Sequence, residues 1–527
     1  MNVAEILHQH AAGDPDQVAL ADVRRGRIRR TTYADLDRRA GQLAELLRRS
    51  GLRPGDTVLV MHRMSSELYI ALAAIFRLGL VAMFVDPSAG SAYLERCCRL
   101  HPPRALIASS KAQLLRLWMP ALRRIPLTFS FGCRVPGAFR AEHAWRLPGD
   151  ETIAATDSNA PALVSFTSGS TGAPKVVVRT HEFLLAQHRA IEQSLALTPG
   201  EVELVTLPIF VLANLASRVT SLIPDVDLRR PDAVDPAPMV HLLSELNANR
   251  AAAPPVVFER IADHCERTGA VLPAVRKVFT GGGPVSPKLL QRLQQVVPQA
   301  EITVVYGSTE AEPISTVALS DIAPGDFAAT DAGHGLLAGR PVDSVRVEIL
   351  EDRWGRALGP LTSHEFEKLC RPAREPGEIV VHGPHVLDGY LGNGGADLEN
   401  KIRVEDRVWH RTGDAGYFDE RGRLWLLGRC AARVRDDRGE LYPFSVEHAA
   451  LRHDTIRRAA VVGLRGERVL AVELRRRSQV PDLASLLKSL TFAGVDSVRI
   501  VRRLPVDRRH NSKVDYAALR TQLEHAS

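Results

Sequence analysis

A stretch dense in glycine and hydroxyl residues, Phe166–Lys175, has the residue types that bind phosphate. It reads Phe-Thr-Ser-Gly-Ser-Thr-Gly-Ala-Pro-Lys, and an apolar, strand-like run lies on each side of it. Backbone N–H groups and hydroxyls in such a loop can surround phosphate oxygens, while the lysine supplies positive charge. Gly169 and Gly172 allow close approach to a ligand, because glycine has no Cβ. The stretch is not a Walker A loop, since Lys175 is followed by Val176 where that loop has serine or threonine.

A second group of polar residues, Tyr306–Glu310, reads Tyr-Gly-Ser-Thr-Glu and is predicted to follow directly after a strand. The ring of Tyr306 can stack on an adenine, and Thr309 can reach a phosphate. Glu310 can hold Mg²⁺, which prefers carboxylate and phosphate oxygens. In isolation the motif could be any turn at the end of a strand. Its position downstream of the glycine-rich loop favours a nucleotide site.

Four further motifs offer groups that a nucleotide site needs. The turn Thr412–Asp414 has a carboxylate that can accept both ribose hydroxyls, and Gly281–Pro284 allows backbone to pack against an adenine and an acyl group. The pair Gly428 and Arg429 follows a strand-like run and marks the predicted junction of two domains. Near the C-terminus, Lys513 lies in the sequence His-Asn-Ser-Lys. Each motif is common by itself, so the weight lies in their order along the chain.

In this order the motifs resemble those of the adenylate-forming superfamily, which includes acyl-CoA synthetases and the adenylation domains of peptide synthetases. The resemblance implies ATP and Mg²⁺ as cofactors, Lys513, Glu310 and Thr309 as catalytic residues, and Glu310 as the metal ligand. Val176 stands where the family usually has another glycine. The residues assigned to the nucleotide are Thr167, Ser168, Gly169, Ser170, Thr171, Gly172, Lys175, Gly282, Gly283, Tyr306, Gly307, Ser308, Asp414 and Arg429.

Within the superfamily, four stretches resemble the OleC-type β-lactone synthetases of bacterial olefin and β-lactone biosynthesis. They are Thr206–Phe210, Ser221–Asp227, Tyr417–Trp425 and Leu504–Lys513. Those enzymes adenylate a 2-alkyl-3-hydroxy fatty acid, and the hydroxyl of the acid then displaces AMP to close a β-lactone. The resemblance also allows a condensing enzyme, a reductase and a decarboxylase as pathway partners.

The segment after Arg429, Cys430–Pro443, favours the same branch. Enzymes that form thioesters normally continue there with an acidic or lysine hinge residue and a glycine-bearing loop that lines the pantetheine tunnel. Here Ala431 occupies the hinge position, and Gly439 is displaced. A missing thiolation loop is expected when the nucleophile lies inside the substrate, where intramolecular attack gains from a high effective concentration.

Two alternatives remain. The first is a fatty acyl-AMP or acyl-CoA ligase that passes the acyl group to CoA or to a carrier protein. The second is a catalytically silent subunit, which the complete set of motif residues argues against. The acyl pocket is expected beside Phe210, Asn214, Phe258 and Gly282, chosen from motif position, although ordinary core packing would explain them equally well. No base for the lactone-forming hydroxyl is identified, and His181 is better explained as a structural histidine.

The elements that position these residues alternate between strand and helix. Val58–Met61, a helix through Leu68–Phe76 and Leu80–Val85 form a strand–helix–strand unit with apolar runs, typical of a parallel sheet covered by helices. We therefore predict an α/β fold with a large N-terminal domain, residues 1–428, of mostly parallel sheets plus a β-rich part. A small, mobile α+β domain, residues 429–527, carries Lys513.

Composition limits the other function classes. The 527 residues carry a formal net charge of +7, but the arginines are scattered, which argues against nucleic-acid binding. Six cysteines without CxxC spacing and an N-terminus unlike a signal peptide predict a cytoplasmic protein. The longest apolar stretch, Leu68–Val85, carries Arg77, so no integral membrane segment is expected. No zinc-ligand spacing and no GxSxG nucleophile elbow occur.

Overall fold

The computed structural model describes residues 1–24, 26–86, 90–168, 174–227, 231–392, 394–475, 482–506 and 513–525. The chain divides into two compact units. The first unit consists of Met1–Arg229, Asp235–Ala253 and Gly389–Asp397. The second unit consists of Arg230–Val234, Pro254–Asp388 and Leu398–Ser527.

The helices alternate with strands through much of the chain, as the apolar patterning predicts. The α-helices are Ala4–Gly13 (α1), Tyr33–Arg49 (α2), Ser66–Arg77 (α3), Ser91–Leu100 (α4), Ser110–Gln113 (α5), Pro120–Arg123 (α6), His181–Ser194 (α7), Pro208–Ala216 (α8), Ala237–Glu245 (α9), Pro255–Thr268 (α10), Pro287–Val296 (α11), Pro324–Asp331 (α12), Ser363–Leu369 (α13), Gly394–Asn400 (α14), Pro443–Ala450 (α15), Leu483–Ser489 (α16) and Tyr516–His525 (α17). Among the described helices, none has both the length and the apolar composition that crossing a bilayer requires.

The strands are Val18–Arg24 (β1), Arg27–Thr32 (β2), Thr57–Met61 (β3), Val81–Met83 (β4), Ala105–Ser109 (β5), Leu127–Phe131 (β6), Phe139–Arg140 (β7), Pro161–Ser168 (β8), Pro174–Thr180 (β9), Val202–Val205 (β10), Thr220–Ile223 (β11), Arg250–Ala253 (β12), Lys277–Gly281 (β13), Glu301–Ser308 (β14), Ala311–Ala318 (β15), Leu336–Pro341 (β16), Arg346–Leu350 (β17), Gly377–His382 (β18), Lys401–Val404 (β19), Arg407–Phe418 (β20), Leu424–Arg429 (β21), Val434–Asp436 (β22), Gly439–Leu441 (β23), Ile456–Leu464 (β24), Glu467–Leu474 (β25) and Ser497–Val501 (β26).

The first unit contains a helix-covered sheet of the predicted parallel kind. Its strand order is β7-β6-β5-β3-β4-β8-β9, and every pair is parallel except the last, β8 with β9. The pairing of β3 with β4 confirms the predicted strand–helix–strand unit, because α3 connects them. A second set of strands in this unit runs β12-β10-β11-β1-β2, with only β1 and β2 antiparallel.

Helix α2 shows how local sequence defines an element in the first unit. Thr32 precedes the helix, and its side-chain oxygen accepts a hydrogen bond from the backbone N–H of Asp35 at 3.1 Å. This bond satisfies one of the N–H groups that a helix start leaves without a partner. Apolar residues at helical spacing are buried along one face, as predicted. Gly51, with φ +89°, follows the end of the helix.

The second unit is mainly antiparallel. Strand β13 pairs in parallel with β14, and the order then continues β14-β15-β16-β21-β20-β18-β17 with antiparallel pairs. This is the predicted β-rich part. The C-terminal part of the unit has a separate sheet, β24-β25-β26, with apolar clusters on it that include residues of α15 and α17. The predicted boundary between residues 428 and 429 falls at the end of β21 and stays a prediction.

Candidate active site

The glycine-rich loop lies between two strands of the first unit, as predicted. Strands β8 and β9 pair so that Thr167 faces Lys175 across the ladder and Ser168 faces Pro174. The two strands therefore hold both ends of the loop at one edge of the sheet. The predicted ligands at its centre, Gly169, Ser170, Thr171 and Gly172, lie outside the described residues.

The side chain of Lys175 is buried, and an aromatic ring accompanies its charge. Its Nζ lies 5.4 Å from the centre of the Tyr390 ring, within the range of a cation–π interaction. Backbone contacts fix Tyr390 there, because the N–H of Leu391 donates to the carbonyl of Val176 at 3.0 Å. The N–H of Tyr390 donates to Asp397 at 2.7 Å. Tyr390 could not be found from the motifs, because it is more than two hundred residues from the loop in sequence.

In the second unit, three predicted nucleotide residues come together. The phenol of Tyr306 donates to one carboxylate oxygen of Asp414 at 2.9 Å, and Nε of Arg429 lies 3.2 Å from the other oxygen. Neighbouring strands bring this about, since Asp414 on β20 is the register partner of Arg429 on β21. Arg429 also donates to the carbonyl of Thr412 at 3.1 Å. A hydrogen bond and an ion pair thus join the three side chains in one group.

The electrostatics of this group favour a neutral phenol on Tyr306. Burial raises the pKa of Tyr306 well above its ordinary value, and the charge of Asp414 raises it further. The phenol therefore stays protonated and acts as a donor. The charge of Asp414 also raises the pKa of Arg429. A carboxylate in this setting can still accept hydrogen bonds from ligand hydroxyls through its remaining lone pairs.

The Tyr306–Glu310 motif forms part of a hairpin, and here the sequence prediction was wrong in one respect. Strand β14 continues through Gly307 and Ser308, which were predicted to lie in a turn after the strand. Ser308 pairs with Ala311 at the start of β15, so Thr309 and Glu310 form the turn. The strand continues because β15 returns antiparallel and supplies its hydrogen bonds. The backbone carbonyl of Glu310 accepts from the N–H of Leu387 at 2.8 Å.

This turn is suited to Mg²⁺ bound mainly by phosphate. Within the described ranges, no three His, Cys, Asp or Glu side chains come together as a ready-made metal site. Mg²⁺ commonly takes only one or two protein carboxylates and fills its other positions with phosphate oxygens and water. One carboxylate at a hairpin turn, Glu310, fits that mode.

Two different physical reasons explain why glycine occurs at two successive positions at the end of β13. A Cβ on Gly281 would come within 2.2 Å of the carbonyl oxygen of Val305, so glycine there allows β13 and β14 to pack closely. Gly282 has φ +77°, a conformation that favours glycine, and a Cβ there would meet no protein atom within 4 Å. Backbone geometry thus explains why residue 282 is glycine. The predicted contacts of Gly282 with a nucleotide and an acyl group stay predictions, and so does the predicted contact of Gly283 with the nucleotide.

Three of the four predicted acyl-pocket residues are buried, whereas Gly282 is exposed. Phe210 and Asn214 lie on α8 in the first unit, whereas Phe258 lies on α10 in the second. The amide of Asn214 donates to Glu203 at 2.7 Å and to the hydroxyl of Ser221 at 3.1 Å. These bonds join α8 to strands β10 and β11. Asn214 therefore has a structural role in the first unit, and the acyl contacts of all these residues stay predictions.

His181 has the structural role that the sequence analysis favoured. It is fully buried, and its Nδ1 accepts a hydrogen bond from the backbone N–H of Val3 at 3.2 Å. Its ring packs edge-on against Phe76 with a centroid distance of 6.2 Å. Burial lowers the pKa of His181, which keeps the ring neutral.

Lys513 lies at the base of a loop whose two ends are tied together in the C-terminal part. Val506 and Val514 form an antiparallel bridge, and the N–H of Asp515 donates to the carbonyl of Pro505 at 3.0 Å. The loop residues 507–512 lie outside the described residues. Lys513 itself is half-buried.

A buried carboxyl group holds the start of the helix that follows Lys513. The phenol of Tyr516, the first residue of α17, donates to both carboxyl oxygens of Glu447, at 2.9 and 3.1 Å. The N–H of Val461 also donates to Glu447, at 3.2 Å. Burial raises the pKa of Glu447 to about 8. The sequence analysis missed this pair, because no local pattern links α15 to α17.

The segment Cys430–Pro443 forms a short 3₁₀ turn and then the hairpin of β22 and β23. Asp436 faces Gly439 across the hairpin turn, and Gly439 has φ +103°. Glycine is therefore required there by the turn itself. At the start of the segment, a Cβ on Gly428 would come within 2.7 Å of the Pro443 ring, so the segment also closes tightly on β21.

Comparison with known proteins agrees with these motifs. The profile of a family described as AMP-binding enzyme matches residues 7–391. The chain is 32% identical to the olefin beta-lactone synthetase of Stenotrophomonas maltophilia, over 97% of this chain and 96% of that protein. It is also 32% identical to the olefin beta-lactone synthetase of Xanthomonas campestris, with the same coverage of 97% and 96%.

A solved structure shows the same fold. It is the O-succinylbenzoate coenzyme A synthetase of Bacillus subtilis in complex with ATP and magnesium ion, with a TM-score of 0.76 and 21% identity over 98% of this chain and 99% of that one. The family match extends over most of the chain, and the similarity to the two synthetases over nearly all of it. The chain therefore belongs to the AMP-binding enzyme family and is an adenylate-forming ligase.

Proposed function

We propose that this enzyme is a β-lactone synthetase. It uses ATP and Mg²⁺ to adenylate a 3-hydroxy fatty-type acid with an alkyl group at C2, and it then closes a four-membered lactone. The observation that carries the proposal is the similarity to two olefin beta-lactone synthetases over nearly the whole chain. AMP and diphosphate are the other products.

In the first step, a carboxylate oxygen of the acid attacks the α-phosphorus of ATP, and the bond from that phosphorus to the β-phosphate oxygen breaks. Asp414 would accept the ribose hydroxyls, oriented by its bonds with Tyr306 and Arg429. Glu310 would hold Mg²⁺, which when bound neutralises phosphate charge. Lys513 would stabilise the charge that develops between the carboxylate and the α-phosphate. Catalysis of this step is then mainly positioning and charge stabilisation.

The residues predicted to contact phosphate come from two of the motifs. The loop Thr167–Lys175 would surround the β- and γ-phosphates, with Lys175 oriented by the ring of Tyr390. Thr309 would donate to a phosphate oxygen from the turn between β14 and β15. The hydrogen bonds of backbone N–H groups to phosphate do not depend on the acid, so this part of the site would serve any acid that the pocket accepts.

In the second step, the 3-hydroxyl oxygen of the acyl-adenylate attacks its carbonyl carbon. The bond from that carbon to the AMP oxygen breaks and releases AMP, and the hydroxyl proton is released to water. Because nucleophile and electrophile belong to one molecule, the step gains from effective concentration, while ring strain opposes it. The hairpin formed by Cys430–Pro443 supports an internal acceptor, since its glycine meets the needs of its own turn.

The experiment is an incubation of purified protein with ATP, Mg²⁺ and a racemic 2-alkyl-3-hydroxy acid, with and without CoA, followed by mass spectrometry. We expect a product equal to the acid minus water, formed without CoA and in equal amount with AMP. The same acid without its 3-hydroxyl is the matched control and should stop at the acyl-adenylate. An adenylate that accumulates from the hydroxy acid until CoA or a carrier protein is added would refute the proposal in favour of an acyl-transferring ligase.

The variant Lys513→Ala separates the two steps of the proposal. We expect it to lose formation of the acyl-adenylate, measured by exchange of labelled diphosphate into ATP. Adenylate formation at the wild-type rate would contradict the role of Lys513. A condensing enzyme, a reductase and a decarboxylase as pathway partners, and a cytoplasmic location, belong to this proposal and stay predictions.

A further inference from the structure

A short segment of the first unit is apolar on two sides. In the 3₁₀ helix Leu114–Leu117 and the residue after it, Leu114, Leu117 and Trp118 are 50, 63 and 70% exposed. Leu115, which lies between the exposed residues in sequence, and Met119, which follows them, pack against an apolar cluster of the helix-covered sheet. An element with one apolar face in the core usually has a polar outer face. Here the outer face is apolar as well.

The surroundings of these exposed side chains are basic. The stretch Ser110–Pro126 contains four basic residues and no acidic one. They are Lys111, Arg116, Arg123 and Arg124. Arg123 and Arg124 lie just beyond the apolar residues, at the end of α6, and are exposed. Arg124 pairs with Glu95 on α4 at 2.5 Å, so one acidic residue from outside the stretch offsets part of the charge.

We infer that this surface, formed by Leu114, Leu117 and Trp118 with the flanking basic residues, docks on an anionic lipid bilayer. Leucine and tryptophan side chains enter the boundary between headgroups and acyl chains, while lysine and arginine contact lipid phosphates. Tryptophan favours this boundary in membrane proteins because its ring is amphipathic. The absence of acidic residues within Ser110–Pro126 matches the negative charge of such a bilayer.

The surface fits a bilayer better than a protein partner for a physical reason. Trp118 is 70% exposed, so its ring projects into solvent, and in a protein interface it would need a well-packed pocket on the partner. A projecting ring with leucines beside it can enter a lipid surface without a matching pocket. Docking of this kind would place the first unit at a membrane, where long-chain acids accumulate. The inference itself rests on the surface and not on the proposed reaction.

The test is flotation of the full-length enzyme with vesicles of phosphatidylcholine, with and without phosphatidylglycerol. We expect the enzyme to float with the anionic vesicles only, and high salt to weaken this binding. The double variant Leu117→Ser/Trp118→Ser should bind the anionic vesicles at least about tenfold more weakly, because most of the inserted apolar area is lost. Arg123→Gln/Arg124→Gln should weaken binding about twenty-five-fold, which is about fivefold for each of the two charges removed.

Val271→Ser/Ile500→Ser is the matched control, since both side chains are about half exposed but lie in the second unit. It should float like the wild type, and all variants should keep the activity measured without vesicles. The charge variant leaves the apolar side chains in place, so it tests the surface even if the first variant does not fold. An enzyme that binds no vesicles, or variants that float like the wild type, would overturn the inference. The inference would also be overturned if the wild type bound an acidic protein but no vesicles, and the variants lost binding to that protein.

Discussion

The buried carboxyl of Glu447 is expected to make the stability of the C-terminal part depend on pH. Its pKa is raised by burial from an ordinary value of 4.5 to about 8 in the folded chain. The phenol of Tyr516 and the N–H of Val461 hydrogen-bond to it but do not offset the loss of water. Arg429 is a charged group that affects the pair of Glu447 and Tyr516. Its charge lowers the pKa of Tyr516, but burial raises that pKa by more. The change that tests this is Glu447→Gln, which keeps the shape and cannot ionise.

The sign follows from proton binding. Between pH 4.5 and 8 the folded chain holds a proton on Glu447 that the unfolded chain has released. This stabilising contribution is complete below pH 4.5 and is lost as the pH rises through about 8. The difference between the two pKa values corresponds to roughly 5 kcal/mol of stability over the whole range. The glutamine variant should lack this dependence, so its stability relative to the wild type should rise between pH 6.5 and 9, by a few kcal/mol as an order of magnitude.

The neighbouring His448 defines the lower limit of the pH range in which the change in stability can be assigned to Glu447. Burial lowers its pKa from 6.5 to about 4, so its contribution to stability is lost only as the pH falls below 6.5. Above pH 6.5 the change therefore reports on Glu447. Because a chain with several cooperative parts need not unfold in one step, the measurement should be local.

Hydrogen exchange followed by mass spectrometry, on peptides from α15, β24 and β25, provides such a measurement. After correction for the intrinsic exchange rate, wild-type protection should fall from pH 6.5 to 9, and Glu447→Gln should stay level. The matched control is Glu467→Gln, which removes an exposed carboxyl from β25 of the same sheet and should follow the wild type. Parallel curves for the wild type and Glu447→Gln would refute the reasoning.

Three other changes test the site and its support. Asp414→Asn removes a charged acceptor from the proposed ribose contact, so kcat/KM for ATP should fall about ten- to a hundredfold in diphosphate exchange; an unchanged value would exclude that contact. Tyr390→Leu should raise KM for ATP by about two- to fivefold, because the cation–π contact with Lys175 is lost. Tyr390→Phe keeps an aromatic ring and should leave KM unchanged. Equal effects of the two variants on KM would contradict that contact. Arg411→Met leaves the buried Glu378 without its bidentate partner and should cost about 3–5 kcal/mol of local stability, measured by hydrogen exchange of peptides from β18 and β20. Arg411→Met/Glu378→Met should restore most of that stability, and a double variant no better than the single one would show that the pair itself stabilises the fold.

Much of the fold follows from local sequence patterns. Apolar runs and helical periodicity predicted β3, α3 and β4 with ends close to those observed, because buried strands and one-sided helices leave regular patterns. The ends of β14 were less predictable. Glycine and hydroxyl residues at Gly307 and Ser308 indicate a turn, but pairing with β15 keeps them in the strand. Tertiary hydrogen bonds thus overrode the local preference.

The candidate site could be predicted only where its residues form motifs. Tyr306, Asp414 and Arg429 were predicted from their motifs, and the structure joins them in one group through a hydrogen bond and an ion pair. Tyr390 and Glu447 could not be found in this way, because each acts on a residue far away in sequence. A buried polar side chain such as Asn214 is equally ambiguous from sequence. Its partners, Glu203 and Ser221, become visible only when the strands are in place.

The position of Tyr390 has a consequence for how the chain is made. The segment Gly389–Asp397 belongs to the first unit, and Leu391 hydrogen-bonds to Val176 at the end of the glycine-rich loop. A ribosome delivers that segment only after the intervening residues Pro254–Asp388 of the second unit have been synthesised. Domains usually fold as units, in order, during synthesis. Here the first unit cannot be completed until much of the second has emerged, so a nascent chain stopped before residue 389 would present Lys175 without its aromatic neighbour.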